Sequence, residues 1–180
     1  IMIHLILCNY NSGSRLAEVL DSLLPAFNKN KIYTVNFIDN KSSDYPENIL
    51  SKYNFNILIR SDKNLGKALA SNKVFEQLEL SGQIKEGDFI GYFDSDMKVN
   101  ESDAFFHNLP NLLKIMLEEN KASSVVTWQT EYSRHLVKID DPRFCEFHGF
   151  NLMPDMGTGV IAGGNFFTLA KYWKAVGGYH

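Results

Sequence analysis

The chain has 180 residues, of which 44% are hydrophobic and 22% charged, with a formal net charge of -3. That length makes one domain the default, with a core burying about 70% of the unfolded surface, and the charge argues against a bulk electrostatic grip on nucleic acid or anionic membrane. No run approaches the ~20 apolar residues that span a bilayer, and the two cysteines, Cys8 and Cys145, make neither a disulfide framework nor a zinc site.

His4 to Cys8 reads as a strand, followed by the polar turn Asn9 to Gly13. Ser14 is the expected N-cap of a helix whose apolar stripe is Leu16, Val19, Leu20, Leu23 and Leu24. Ile32 to Ile38 is a second strand ending at Asp39-Asn40, with a short helix expected between Pro46 and Tyr53. A third strand, Phe55 to Ile59, leads into Asp62 to Gly66 and a helix from Lys67 to Leu80. Phe89 to Phe93 is a buried strand ending in Asp94-Ser95-Asp96, and Glu101 to Glu119 reads as a helix, with Pro110 a candidate break within it. Val125 to Trp128 is a further strand. Glu131 to Gly164 shows no periodicity, and Phe166 to Val176 reads as a strand running into a helix stopped by Gly177-Gly178. His4, His107 and His135 read as structural or surface residues, and Cys8 as a small buried hydrophobe.

Alternating strands and helices predict an α/β fold: a mostly parallel central sheet, Rossmann-like, with helices on both faces. Ligands bind such sheets outside the carboxyl ends of the strands. The clusters Asn9 to Asn11, Asp39-Asn40, Asp62 to Gly66 and Asp94 to Asp96 each follow a different strand, so all four are expected at one edge. Asp94 and Asp96 stand two residues apart after an apolar strand, and in extended chain such residues share a face. A hard divalent cation such as Mg²⁺ suits that pair, and two solvated turn aspartates are the alternative reading. A dinucleotide fingerprint and a Walker A sequence are both missing, so phosphate must be neutralised by other means. Tyr10 suits a planar base, and Asp39 suits its N–H groups or ribose hydroxyls.

Five stretches, in order along the chain, resemble the inverting glycosyltransferase family 2 and its GT-A fold. They are Cys8 to Asn11, Phe37 to Asp44, Asn64 to Asn72, Phe93 to Asp96, and Gly163 to Phe167 continuing through Val176 to Tyr179. The resemblance implies transfer of a sugar from a nucleoside-diphosphate sugar, a UDP-sugar being favoured, to a hydroxyl of a carbohydrate or glycolipid acceptor. It implies Mn²⁺ or Mg²⁺ as cofactor, with Asp96 coordinating the metal and Asp94 contacting the ribose or a metal-bound water. Asn9, Tyr10, Asn11 and Asp39 would hold the nucleoside, with Lys67 near the base or diphosphate. Gly163 and Gly164 would bring backbone to the donor sugar or acceptor, unless they form only a tight turn.

Residues 1–180 are expected to form one domain, with a nucleotide-binding half over 1–100 and an acceptor-side half over 101–180. The family usually carries its general base in a Glu-Asp type motif shortly after the Gly-Gly-Tyr element. This chain ends at His180, so the base is expected beyond it; Asp155, the other candidate, reads more readily as a turn aspartate. Aromatic residues such as Trp128, Trp173 and Phe144 suit an acceptor groove or, more commonly, core packing. The location expected is the cytoplasm, including the cytoplasmic face of a membrane. Two competing classes are a non-catalytic nucleotide-binding module and a sugar-nucleotide nucleotidyltransferase, the latter disfavoured by the single glycine between Asn9 and Ser14.

Overall fold

The apolar opening forms β1 (Ile3–Asn9), and its side chains divide by parity: Ile3, Leu5 and Leu7 enter one core, Ile6 and Cys8 another. The computed structural model describes residues 1–13, 15–28, 32–119, 125, 145–147, 150–152 and 165–179. Ser14, Asp155, Gly163, Gly164, His180 and the segment after Val125 expected as a strand lie outside the described residues. After β1 come α1 (Arg15–Ser22), α2 (Leu24–Asn28), β2 (Tyr33–Asp39), α3 (Glu47–Leu50), β3 (Ile57–Arg60), α4 (Gly66–Leu80) and β4 (Phe89–Asp94). Then follow α5 (Ser102–Leu113), continued by a π-helical turn over Lys114–Glu119, β5 (Cys145–Phe147), β6 (Phe150–Leu152), β7 (Asn165–Leu169) and α6 (Ala170–Ala175).

The main sheet has the order β3-β2-β1-β4-β7, with β1 to β4 mutually parallel and β7 antiparallel to β4. Helices α1, α2, α3 and α5 cover one face, where Leu16, Leu20, Leu50, Phe106 and Leu109 meet Leu5, Phe37 and Phe93. Helices α4 and α6 cover the other, through Val74, Phe75, Leu78 and Trp173. The expected α/β sheet with helices on both faces is what forms. Strand order reverses between β1 and β4, which opens a crevice at their carboxyl ends. His4 is buried within β1 and its Nδ1 lies 2.8 Å from Thr34 Oγ1, a core histidine.

Two helical expectations change. The first helix divides at Leu23, because Pro25 lacks an N–H and its ring would meet the carbonyl four residues back. Leu24 is therefore exposed rather than part of the buried stripe. Conversely, α5 passes through Pro110 unbroken. Pro110 cannot bond the Phe106 carbonyl, and the buried Tyr33 hydroxyl donates to that oxygen instead at 2.7 Å. Tyr33→Phe is expected to lower stability by about 1–3 kcal/mol in urea unfolding, since it strands a buried acceptor. In a Pro110→Ala background the cost should shrink, because the restored amide reaches the same carbonyl.

The antiparallel pair β5–β6 was not anticipated, since three-residue strands carry no readable periodicity. Val125 adds a single antiparallel bridge to Phe167 outside β7. At the other end of the chain, α6 stops on Gly177 and Gly178, both at positive φ. Their amides bond the carbonyls of Lys174 and Trp173, at 3.1 and 2.9 Å. Asn72 of α4 then clamps Tyr179, accepting from its N–H at 2.8 Å and donating to its carbonyl at 3.0 Å.

Candidate functional site

At the crevice between β1 and β4 lies a cavity of about 430 Å³, within the range of small-molecule sites. Its lining comes from all four expected strand ends: Cys8 near the end of β1 with Tyr10 and Ser12 beyond it, Asn40 after β2, Asn64, Gly66 and Lys67 after β3, and Asp94 closing β4 with Ser95 and Asp96 beyond it. A larger cavity of about 750 Å³ flanks α1 and residues Lys98 to Ala104, but Glu18, Asp21, Glu101 and Asp103 line it and would repel a diphosphate. The smaller cavity is the candidate site.

Its walls are set by short polar bonds between loops. Asn9, fully buried, donates to Asp39 Oδ1 at 2.9 Å and to Ser42 Oγ at 3.1 Å. The Ser42 amide donates to Asp39 Oδ2 at 3.0 Å, so both oxygens of this buried carboxylate are occupied. Asn11, at φ 51°, turns its Oδ1 to the Ser43 amide at 2.8 Å. These bonds tie the loop after β1 to the loop after β2. Asn40 ties the next pair, donating to Asn64 Oδ1 at 2.9 Å and accepting from the Leu65 amide at 2.7 Å. That contact delivers the amino end of α4, with Lys67 in its first turn, to the cavity, an arrangement that favours anions.

The opposite wall is acidic. Asp94 ends β4, and its carbonyl accepts from the Met97 amide at 3.2 Å, closing a turn around Ser95 and Asp96. The two carboxylates therefore share the cavity through a turn, not through the strand pleat expected from their spacing. Tyr92 donates its hydroxyl to Asp94 Oδ1, and Lys67 Nζ stands 3.4 Å from Oδ2. Burial raises the Asp94 carboxyl above its ordinary range, outweighing the Tyr92 bond and the Lys67 charge that lower it. Burial and the Asp94 bond likewise hold Tyr92 protonated, and burial, with Asp94 next, pushes the Cys8 thiol up to about 12. Cys8 is thus an inert part of the wall.

Among the described residues no group of three or more His, Cys, Asp or Glu side chains could hold a metal by itself. Asp96 is exposed at the cavity, and one flanking carboxylate is already engaged. Such a sparse oxygen set fits Mg²⁺ or Mn²⁺ that takes its remaining ligands from phosphate and water.

Of the residues singled out from the sequence, Tyr10, Lys67, Asp94 and Asp96 line the cavity; Asn9, Asn11 and Asp39 stand behind it as scaffold. Tyr10 is 52% exposed, an open aromatic face at the entrance. Asn40, Asn64 and Ser95 reach the cavity as members of the expected clusters, though given no individual role, and Ser12 reaches it from outside those clusters. The signal for Asn40 was present, because neighbours leaving a strand face opposite ways and Asp39 turns inward.

Residues 4–138 match the family model for Glycosyl transferase family 2. No curated protein matches the chain in sequence. Among solved structures, the mannosyltransferase PcManGT from Pyrobaculum calidifontis, in complex with GDP-Man and Mn²⁺, superposes with a TM-score of 0.66 at 16% identity over 99% of this chain and 47% of its own. TarS 1-349 of S. aureus in complex with UDP-GlcNAc gives a TM-score of 0.51 at 22% identity over 69% of this chain and 33% of its own. The chain thus spans about half the length of the first of these structures and a third of the second.

Proposed function

The chain belongs to glycosyl transferase family 2 and has the GT-A fold, and on that premise we propose that it binds a nucleoside-diphosphate sugar and passes the sugar, with inversion, to an acceptor hydroxyl. The observation that carries this reading is the single cavity in which Tyr10, Lys67, Asp94 and Asp96 converge. The Tyr10 ring packs against the base. Asp39 acts through the loop it braces, giving Tyr10 a fixed platform. Asp94 lies towards the ribose, and Lys67 with the amino end of α4 meets the diphosphate.

Asp96 would hold Mn²⁺ or Mg²⁺, which as a Lewis acid supplies stabilisation of the charge that grows on the departing diphosphate. Lys67 adds a positive charge on the same side, and Tyr92 keeps Asp94 oriented. The acceptor hydroxyl attacks the anomeric carbon from the face opposite the leaving group and loses its proton to a general base. Asp94 and Asp96 are both assigned to the donor, so that base is a different residue. Residues 1–100 then form the donor half and 101–180 the acceptor half of one domain. The two halves share a sheet, since β7 pairs with β4.

Among the described residues no helix is long and apolar enough to cross a membrane. The buried, unreactive Cys8 suits a reducing compartment, and we place the reaction in the cytoplasm.

The test is the melting temperature with UDP, GDP, ADP and CDP, each with and without Mn²⁺. A Mn²⁺-dependent rise with one nucleotide supports the donor site and identifies its base; UDP is the expected one. A cooperatively folded sample that responds to none of them would refute the reading.

A further inference from the structure

We propose that Lys67 is the counter-ion of Asp94, neutralising it until a diphosphate arrives, and that it then moves to the diphosphate and makes metal capture depend on nucleotide. This inference rests on the donor-site reading above and deepens it. Lys67 Nζ lies 3.4 Å from Asp94 Oδ2 and 5.7 Å from the centre of the Tyr92 ring, while the Tyr92 hydroxyl engages Oδ1. Asp94 is therefore held on both oxygens by the protein's own groups. Among the described residues lining the cavity, Asp96, in the adjoining turn, is the other carboxylate.

The Lys67–Asp94 pair is made to exchange. The two side chains are 45% and 27% exposed, and ion pairs this accessible to water are weak. Lysine carries its charge on a flexible four-carbon stem, so the ammonium can swing without moving α4. A diphosphate bears more negative charge than one carboxylate and enters the cavity that Lys67 lines. Before it arrives, the ammonium repels a divalent cation approaching Asp94 and Asp96. Once the ammonium has moved to the diphosphate, Asp94 and the phosphate oxygens both favour the cation. Nucleotide and metal thus raise each other's affinity, as linkage requires, and Lys67 transmits much of that coupling.

The experiment measures Mn²⁺ binding to the full chain from the paramagnetic resonance signal of free Mn²⁺, without nucleotide and then with UDP, GDP, ADP and CDP separately. Wild type, Lys67→Met and Lys67→Arg are compared, and thermal melts confirm that each is folded. Lys67→Met is expected to bind Mn²⁺ alone about fivefold more tightly than wild type, yet to bind nucleotide in the presence of Mn²⁺ about tenfold more weakly. Lys67→Arg keeps the charge and should stay near wild type in both. If Lys67→Met takes Mn²⁺ no more tightly while wild type still binds nucleotide with Mn²⁺, the exchange is overturned and the donor site stands. If neither wild type nor Lys67→Met takes Mn²⁺, with or without any of the four nucleotides, the donor-site reading fails and the exchange falls with it.

Discussion

In Asp96→Ala, the Mn²⁺-dependent rise in melting temperature produced by the matching nucleoside diphosphate is expected to disappear, while the melting temperature of the unliganded protein stays within about 2 °C of wild type. The second half follows from position. Asp96 is exposed in the turn after β4, outside both hydrophobic clusters, and such surface changes usually lie within about 0.5 kcal/mol. The first half follows from mass action. A ligand at one hundred times its dissociation constant stabilises the native state by about 2.7 kcal/mol. For a chain of this size that corresponds to roughly 5–10 °C. Removing the exposed carboxylate leaves a cation only the partly engaged Asp94 and the phosphates. Where turnover is measured, loss of several kcal/mol of leaving-group stabilisation should lower it about a thousandfold. An Asp96→Ala protein that keeps the full Mn²⁺-dependent shift would remove Asp96 from the metal site.

Gly91→Val should destabilise the fold by about 3 kcal/mol, the upper part of the range for overpacking a core. Gly91 occupies the middle of β4 and pairs with Phe167 of β7. A Cβ at this position would meet Phe167 Cε1 at 2.5 Å, Phe167 Cδ1 at 2.8 Å and Leu5 Cδ2 at 2.9 Å. Phe167 cannot withdraw easily: it is fully buried, packs edge-on against Phe93 at 5.6 Å, and exchanges backbone bonds with Val125. The missing side chain is therefore the space that the Phe167 ring fills. Gly91→Ala should cost less, about 1–2 kcal/mol. Combined with Phe167→Leu, which removes the ring atoms that the new methyl meets, the total should fall short of the sum of the single changes by about 1 kcal/mol. Urea unfolding of wild type, Gly91→Val, Gly91→Ala, Phe167→Leu and the Gly91→Ala/Phe167→Leu double variant checks this. A Gly91→Val stability within 0.5 kcal/mol of wild type would contradict the packing of β7 on β4.

The lining of the cavity was legible because it comes from strand ends. An apolar run that stops at Asn9, Asp39 or Asp94 announces both a strand and the polar loop beyond it, and parallel strands bring such loops to one edge. Pro25 and Pro110 show the limit of local reasoning. Both were present to be read, but one divides a helix and the other is accommodated, where the carbonyl that Pro110 cannot bond accepts from the Tyr33 hydroxyl, 73 residues distant from Phe106 in sequence. Nothing in the helix's own pattern encodes that donor.

By itself, then, the sequence determined the alternation of strands and helices, the sheet type that alternation requires, and which polar clusters meet. Those follow from periodicity and from the handedness of crossovers, which are local or general rules. Tertiary structure decided which members of each cluster face the cavity and what holds them. Asp39 turns inward to Asn9 and Ser42 while Asn40 faces the ligand space. Asp94 is gripped by Tyr92 and Lys67, and Asn72 reaches across 107 positions to fix Tyr179. Each of these depends on the register of paired strands and on contacts between remote segments, where a shift of one residue turns every side chain to the opposite face.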